Sequence, residues 1–245
     1  MKLIKALLIL ASTAPFAALA SSGHGPLYPF QPDLGNEASL QRGAAAFMNY
    51  CAGCHSLKYL RYNRLAADLN IPEDILKKNL MFTSDKVGDT IRVAMPANSK
   101  DWFGQVPPDL SLAARARGPD WVYSYLKTFY LDSSKPLGVN NLTLPGASMP
   151  HVLGHLQGWQ VLKEEPAGEH GGGHGSRSPL ELPQPGTLTP AEYDRLVADL
   201  TNFLVYAAEP ARLKRYTLGI WVMLFLTVFT VLAYLLKREY WKDVH

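Results

Sequence analysis

The sequence predicts a mainly α protein in two parts: an exported domain of short helices and long loops, and one C-terminal transmembrane helix. Three observations predict it. Residues 217–236 (TLGIWVMLFLTVFTVLAYLL) form an uncharged apolar run, long enough to cross a bilayer as one helix. Apolar residues recur at helical intervals in several segments of the middle region. Alternating apolar and polar runs are nearly absent there, and Pro72, Pro96, Pro107 and Pro108 cut the chain into short pieces.

Taken in order, Lys2 and Lys5 precede an apolar stretch over residues 6–19 that ends in Ala18-Leu19-Ala20. This is the pattern of a secretory signal peptide, residues 1–20, cut before Ser21. The stretch is shorter than the roughly 20 residues of a spanning helix, and an uncleaved anchor would export the following domain equally well. The exported domain is expected over residues 21–210. Leu40, Ala44, Phe47 and Met48 give residues 36–69 a helical spacing. Gly118-Pro119-Asp120 reads as a helix start, followed by an aromatic face of Trp121, Tyr125, Leu126 and Phe129 running to Tyr130.

Residues 163–187 are rich in Gly, Pro and charge, with no apolar period, and read as a loop. Thr189 then caps and Pro190 starts a further helix. It carries Tyr193, Leu196, Val197, Leu200, Phe203 and Leu204 on one side and stops near Glu209-Pro210. The membrane anchor is expected over residues 211–236, flanked by Tyr216, Trp221, Tyr234 and Trp241 as interfacial residues. Basic residues stand on both sides of it, so charge alone leaves the orientation open. The signal peptide places residues 237–245 in the cytoplasm. A buried core helix is the poorer reading of the span, because the rest of the chain is too small to cover so apolar a rod. A formal charge of +3 with no clustered basic face excludes nucleic acid as a partner.

The chain's two cysteines fall in Cys51-Ala52-Gly53-Cys54-His55. Cys-x-x-Cys-His is the attachment pattern of a c-type haem. Two thiols on adjoining turns reach the two vinyl groups, and the following imidazole ligates the iron. A thioredoxin-like pair would follow a strand at a helix start, whereas this motif follows a helical pattern. Zinc would need two more ligands, and His170 and His174 lie in a distant Gly-rich stretch. A methionine as sixth ligand raises the potential, with Met81, Met95 and Met149 as donors. Met95-Pro96 and Met149-Pro150 are not separated by spacing. An open sixth position would instead make a haem sensor, and a membrane-anchored oxidase subunit would share the signal, motif and anchor.

Over nearly the whole exported domain and its anchor the chain resembles the cytochrome c1 family. The likeness lies in Cys51-Ala52-Gly53-Cys54-His55-Ser56-Leu57-Lys58-Tyr59, in Pro107-Pro108-Asp109-Leu110-Ser111 with Arg115-Ala116-Arg117-Gly118, and in Gly146-Ala147-Ser148-Met149-Pro150. It continues in Asn202-Phe203-Leu204 and Ala208-Glu209-Pro210. The resemblance implies a cytochrome c-like haem domain with one haem c on Cys51 and Cys54. His55 and Met149 would be its axial ligands, and Arg117 the partner of a haem propionate. It implies one-electron transfer from a Rieske iron-sulfur protein to a soluble or membrane-attached cytochrome c. The setting is a dimeric bc1 complex with cytochrome b, in the lipid of a bacterial inner membrane, with the haem domain in the periplasm. Two departures stand out. Trp121 occupies a place where the family often has a tyrosine, so only packing is carried over to it. Residues 169–175 look like an insertion.

Overall fold

The computed structural model describes residues 27–93, 95–96, 98–163 and 179–242. The expected signal peptide, the Gly-rich stretch 169–175 and the last three residues of the tail lie outside them. In chain order the elements are α1 (Glu37–Tyr50), β1 (Leu57–Arg61), α2 (Tyr62–Asp68), α3 (Glu73–Asn79), β2 (Thr90–Ile91), α4 (Ser99–Phe103), α5 (Ala113–Arg117) and α6 (Pro119–Lys127). They continue with β3 (Phe129–Leu131), β4 (Val139–Asn141), α7 (Gly154–Gln157), β5 (Gly158–Leu162), β6 (Leu180–Pro185), α8 (Pro190–Ala208) and α9 (Arg212–Tyr240).

The core is built on α1 against α8. Asn36 caps α1 by accepting from the Ser39 amide at 3.1 Å, and Leu40, Ala44, Phe47 and Met48 are buried along one face. Thr189 and Glu192 close a full capping box on α8, whose Tyr193, Val197, Leu200, Phe203 and Leu204 are likewise buried. The backbones meet at Gly43, where an added Cβ would fall 2.1 Å from the Asp199 carbonyl oxygen. Beside this crossing Arg42 grips the Asp199 carboxylate with two hydrogen bonds, of 2.6 and 3.0 Å. Helix α6 joins the pair through Tyr193, whose hydroxyl donates to the Leu126 carbonyl at 2.8 Å.

Short strands interrupt what the spacing predicts as helix or loop. All pair in two-stranded antiparallel ribbons, β1 with β2, β3 with β4 and β5 with β6. Leu57 and Leu60 are buried three residues apart, which mimics a helix; a register irregularity in β1 produces that spacing instead. The aromatic helix ends at Lys127, and Phe129 starts β3, paired to Asn141. Within the expected loop, Leu180–Pro185 pairs with β5.

Helix α9 runs on to Tyr240, past Leu236, with Lys237 and Arg238 in its last turn, where cations suit the helix dipole. Its most apolar 18-residue window has a mean hydropathy of 2.3, and none of it is buried against the rest of the described chain. This helix is long and apolar enough to cross a membrane.

Candidate functional site

The cysteine motif is the turn that ends α1. The amides of Cys51 and Ala52 both donate to the Phe47 carbonyl, at 2.8 and 2.9 Å, and those of Cys54 and His55 donate to the Cys51 carbonyl, at 3.0 and 2.8 Å. Two thiols and an imidazole therefore leave one tight turn. The thiols are not joined to each other. Burial, with Cys54 nearby, pushes the Cys51 thiol up to about 12, so it is a poor thiolate for disulfide exchange or zinc. Among the described residues no group of three or more His, Cys, Asp or Glu side chains is placed to hold a metal ion.

His55 is buried, and its Nδ1 lies 2.7 Å from the Pro108 carbonyl oxygen. A carbonyl only accepts, so Nδ1 carries the proton and Nε2 keeps its lone pair. This is the arrangement by which metal-ligating imidazoles are usually oriented. Burial lowers the pKa of His55, against the opposing pull of the Pro108 bond and the Asp109 charge, and the neutral ring is the ligating form.

Pro108 and Asp109 are themselves pinned to the segment that follows the cysteine motif. The Leu110 amide donates to the Ser56 carbonyl at 2.9 Å, and the Lys58 amide to the Asp109 carboxylate at 2.9 Å. The Tyr59 amide donates to the Ser111 hydroxyl at 3.2 Å. Thus the two segments quoted separately from the sequence are one unit in space.

Cys51, Cys54 and His55 line a cleft together with Pro107, Pro108 and Met149. The cleft is mostly apolar, as cofactor pockets usually are. Met149 reaches it on the loop between β4 and α7. Neither Met81 nor Met95 lines this cleft; Met81 packs against the main core instead. Arg117 does not line it either. It ends α5 as an exposed side chain whose guanidinium lies 5.1 Å from the Trp121 ring centre. Trp121 stacks on Tyr125 at 5.0 Å and 8°, and its buried Nε1 has no hydrogen-bond partner. Phe103 and Gln105 also line the cleft, and sequence reasoning passed over both, since residues 98–105 offer no periodic signal. It passed over the Pro108 carbonyl too, although Pro107-Pro108-Asp109 was visible as a signature.

Residues 33–153 and 186–244 match the Cytochrome C1 family. The chain is 55% identical to "Cytochrome c1" of Allochromatium vinosum over 245 residues, covering 100% of this chain and 99% of that protein. It is 47% identical to the "Ammonia monooxygenase gamma subunit" of Nitrosomonas europaea, with 100% of both chains covered. "Cytochrome c1" of Rhodospirillum rubrum is 32% identical, over 85% of this chain and 83% of that one. With the family match spanning both the domain and the anchor helix, the chain belongs to the cytochrome c1 family.

Proposed function

We propose that this chain is the membrane-anchored c-type cytochrome of a bc1 complex, taking single electrons from the Rieske iron-sulfur protein and passing them to a cytochrome c. The observation that carries the reading is the cleft itself. One turn contributes two thiols and a neutral imidazole with a free Nε2, and a distant loop contributes a thioether sulfur. That donor set fits haem c: Cys51 and Cys54 would hold it through thioether links, and His55 and Met149 would ligate its iron. Burial that disfavours a Cys51 thiolate costs an uncharged thioether nothing. When bound, the haem supplies an iron that cycles between ferric and ferrous and so holds one electron at a time.

The rest is the work of the protein. Pro108 fixes the tautomer of His55. Met149 offers a neutral, polarisable sulfur that favours the reduced metal and raises the potential. Arg117, which makes no ion pair among the described residues, is the cation for a propionate, since a partly buried carboxylate needs a charged or hydrogen-bonding partner. The signal-peptide pattern of the sequence and the apolar helix α9 support a haem domain in the periplasm of a bacterial inner membrane, with the tail in the cytoplasm. Cytochrome b, the Rieske protein and lipid surround the anchor in a dimeric complex.

Purification of the full chain from its membranes under mild detergent tests this. The expected result is a haem that stays on the polypeptide through denaturing electrophoresis, in a particle that also contains a cytochrome b and a Rieske protein. A chain without covalent haem, or one that purifies free of both partners, overturns the reading.

A further inference from the structure

Met149 sits in a loop with no regular structure, yet both sides of the loop are fastened to the same place. On the upstream side the fastening is a pair of asparagines at the end of β4. Asn141 is fully buried. Its Oδ1 accepts from the backbone amides of Thr143 and Leu144 at 2.9 and 3.0 Å, and its Nδ2 donates to the Tyr125 carbonyl at 2.7 Å. Asn140 Oδ1 accepts from the Gly146 amide at 2.8 Å, and its Nδ2 donates to Asp132 at 2.9 Å. Gly146 has φ +78°, a conformation that glycine adopts at little cost, and Met149 follows three residues later. On the downstream side the His151 ring stacks on Phe129 at 4.9 Å and 5°.

We infer that Asn140 and Asn141 are positioning residues for the Met149 sulfur, setting how much of the time it occupies the iron; this rests on Met149 being the sixth ligand. The amide is the group the site demands. Asn141 must accept from two N–H groups and donate to a carbonyl at once, and a carboxylate in its place would turn a lone pair on the Tyr125 oxygen. Truncation leaves the buried Thr143 amide and the half-buried Leu144 amide and Tyr125 carbonyl without these partners, which is costly as long as they stay out of water. The cheapest relief is for the loop to swing outward and let water reach those groups. Met149 would move with it.

The test uses the full-length haem-loaded chain with Asn141→Ala, Asn140→Ala, and Asn202→Ala as a matched loss elsewhere. Asn202 is also buried, and donates to the Asp33 carbonyl at 2.7 Å from α8, remote in sequence from the methionine loop. Three quantities are read: the sulfur-to-iron charge-transfer band of the ferric protein, carbon monoxide binding to the ferrous protein, and the melting temperature. All three variants should melt lower. Only Asn141→Ala and Asn140→Ala should lose intensity in the band and bind carbon monoxide faster, by about tenfold if the open fraction rises tenfold.

If both behave like Asn202→Ala, with lower melting but unchanged band and carbon monoxide binding, the asparagines merely stabilise the fold and the inference is overturned. Should Asn141→Ala fail to accumulate with haem, Asn140→Ala decides by the same readings. Met149→Leu is run alongside. An unaltered band there removes the premise, a failure distinct from the one in which Met149→Leu loses the band but the asparagine variants keep it.

Discussion

The two flanks of the cleft are built by different means. On the His55 flank, five consecutive residues supply both thiols and the imidazole, held by the last hydrogen bonds of α1 and by one backbone carbonyl from Pro108. On the Met149 flank, a single sulfur depends on buried amides from β4, a glycine turn and a ring stack on β3. The first flank is local and hard to displace without unfolding a helix end. The second is tertiary and can be loosened by changes at residues that never touch the cleft. On the proposed reading attachment and potential are thereby separated: the turn would decide whether a haem is held, and the loop how readily the iron keeps its electron.

Replacing Met149 with Leu breaks the comparison at its most exposed point. Leucine fills similar volume but donates no lone pair, so the fold and the covalent attachment should survive. The midpoint potential should fall by on the order of 100 mV or more, a fraction of the ~0.8 V range that axial ligands span. Redox titration checks it, and an unchanged potential and spectrum would remove Met149 from the iron.

Gly43→Ala attacks the other flank from behind. The new methyl carbon meets the Asp199 carbonyl at 2.1 Å and Phe203 Cβ at 2.6 Å, so α1 must move off α8 and carry the motif with it. Overpacking of this kind costs about 1–3 kcal/mol. The melting temperature should drop by several degrees, with the charge-transfer band kept, because the Met149 loop is fastened elsewhere. Thermal melts of the haem-loaded chain measure the first and absorption the second.

How much of this could be read from the residues follows the same division. The α8 start was legible because Thr189, Pro190 and Glu192 lie within four positions, and the cap is a local bond. The Cys51–His55 cluster was legible for the same reason, since its thiols and imidazole lie within five positions. Strand β1 was not: Leu57 and Leu60 are the buried pair, and a spacing of three reads as helix until the ladder partner Ile91 is known. The choice between Met95 and Met149 is equally opaque to spacing, since both precede proline in loops. Only the fold puts one of them in the cleft. Gly43 hid inside Gly43-Ala44-Ala45-Ala46, where a required glycine looks like one more small residue.

Arg117 sharpens the comparison from outside the cleft. It stacks on Trp121 and is solvated, so its charge acts through screening water. Arg117→Gln should leave both axial ligands in place and shift the potential by only tens of millivolts, the size of a ~1 kcal/mol change on a one-electron couple. A drop as large as that of Met149→Leu would show that the substitution had disturbed the ligand set.

The smallest effect is expected at Asp132, and it separates the flanks by pH. Hydrogen bonds from the Ser134 hydroxyl at 2.6 Å and from Asn140 Nδ2 at 2.9 Å, with the Ser134 amide and nearby Lys135, hold this carboxyl below the usual carboxylate range. A group whose folded pKa is depressed contributes stability above its unfolded value, near 3.9, and loses it as the pH falls through the lower folded value. Protonation then weakens the grip on Asn140, and through Gly146 the grip on the methionine loop. Wild type should therefore melt slightly above Asp132→Asn near neutral pH, and the gap should close as the pH falls past the ordinary carboxylate range. Carbon monoxide binding to the wild type should quicken over the same interval. If the gap instead stays constant with pH, the Asp132 charge has no part in holding the Met149 flank.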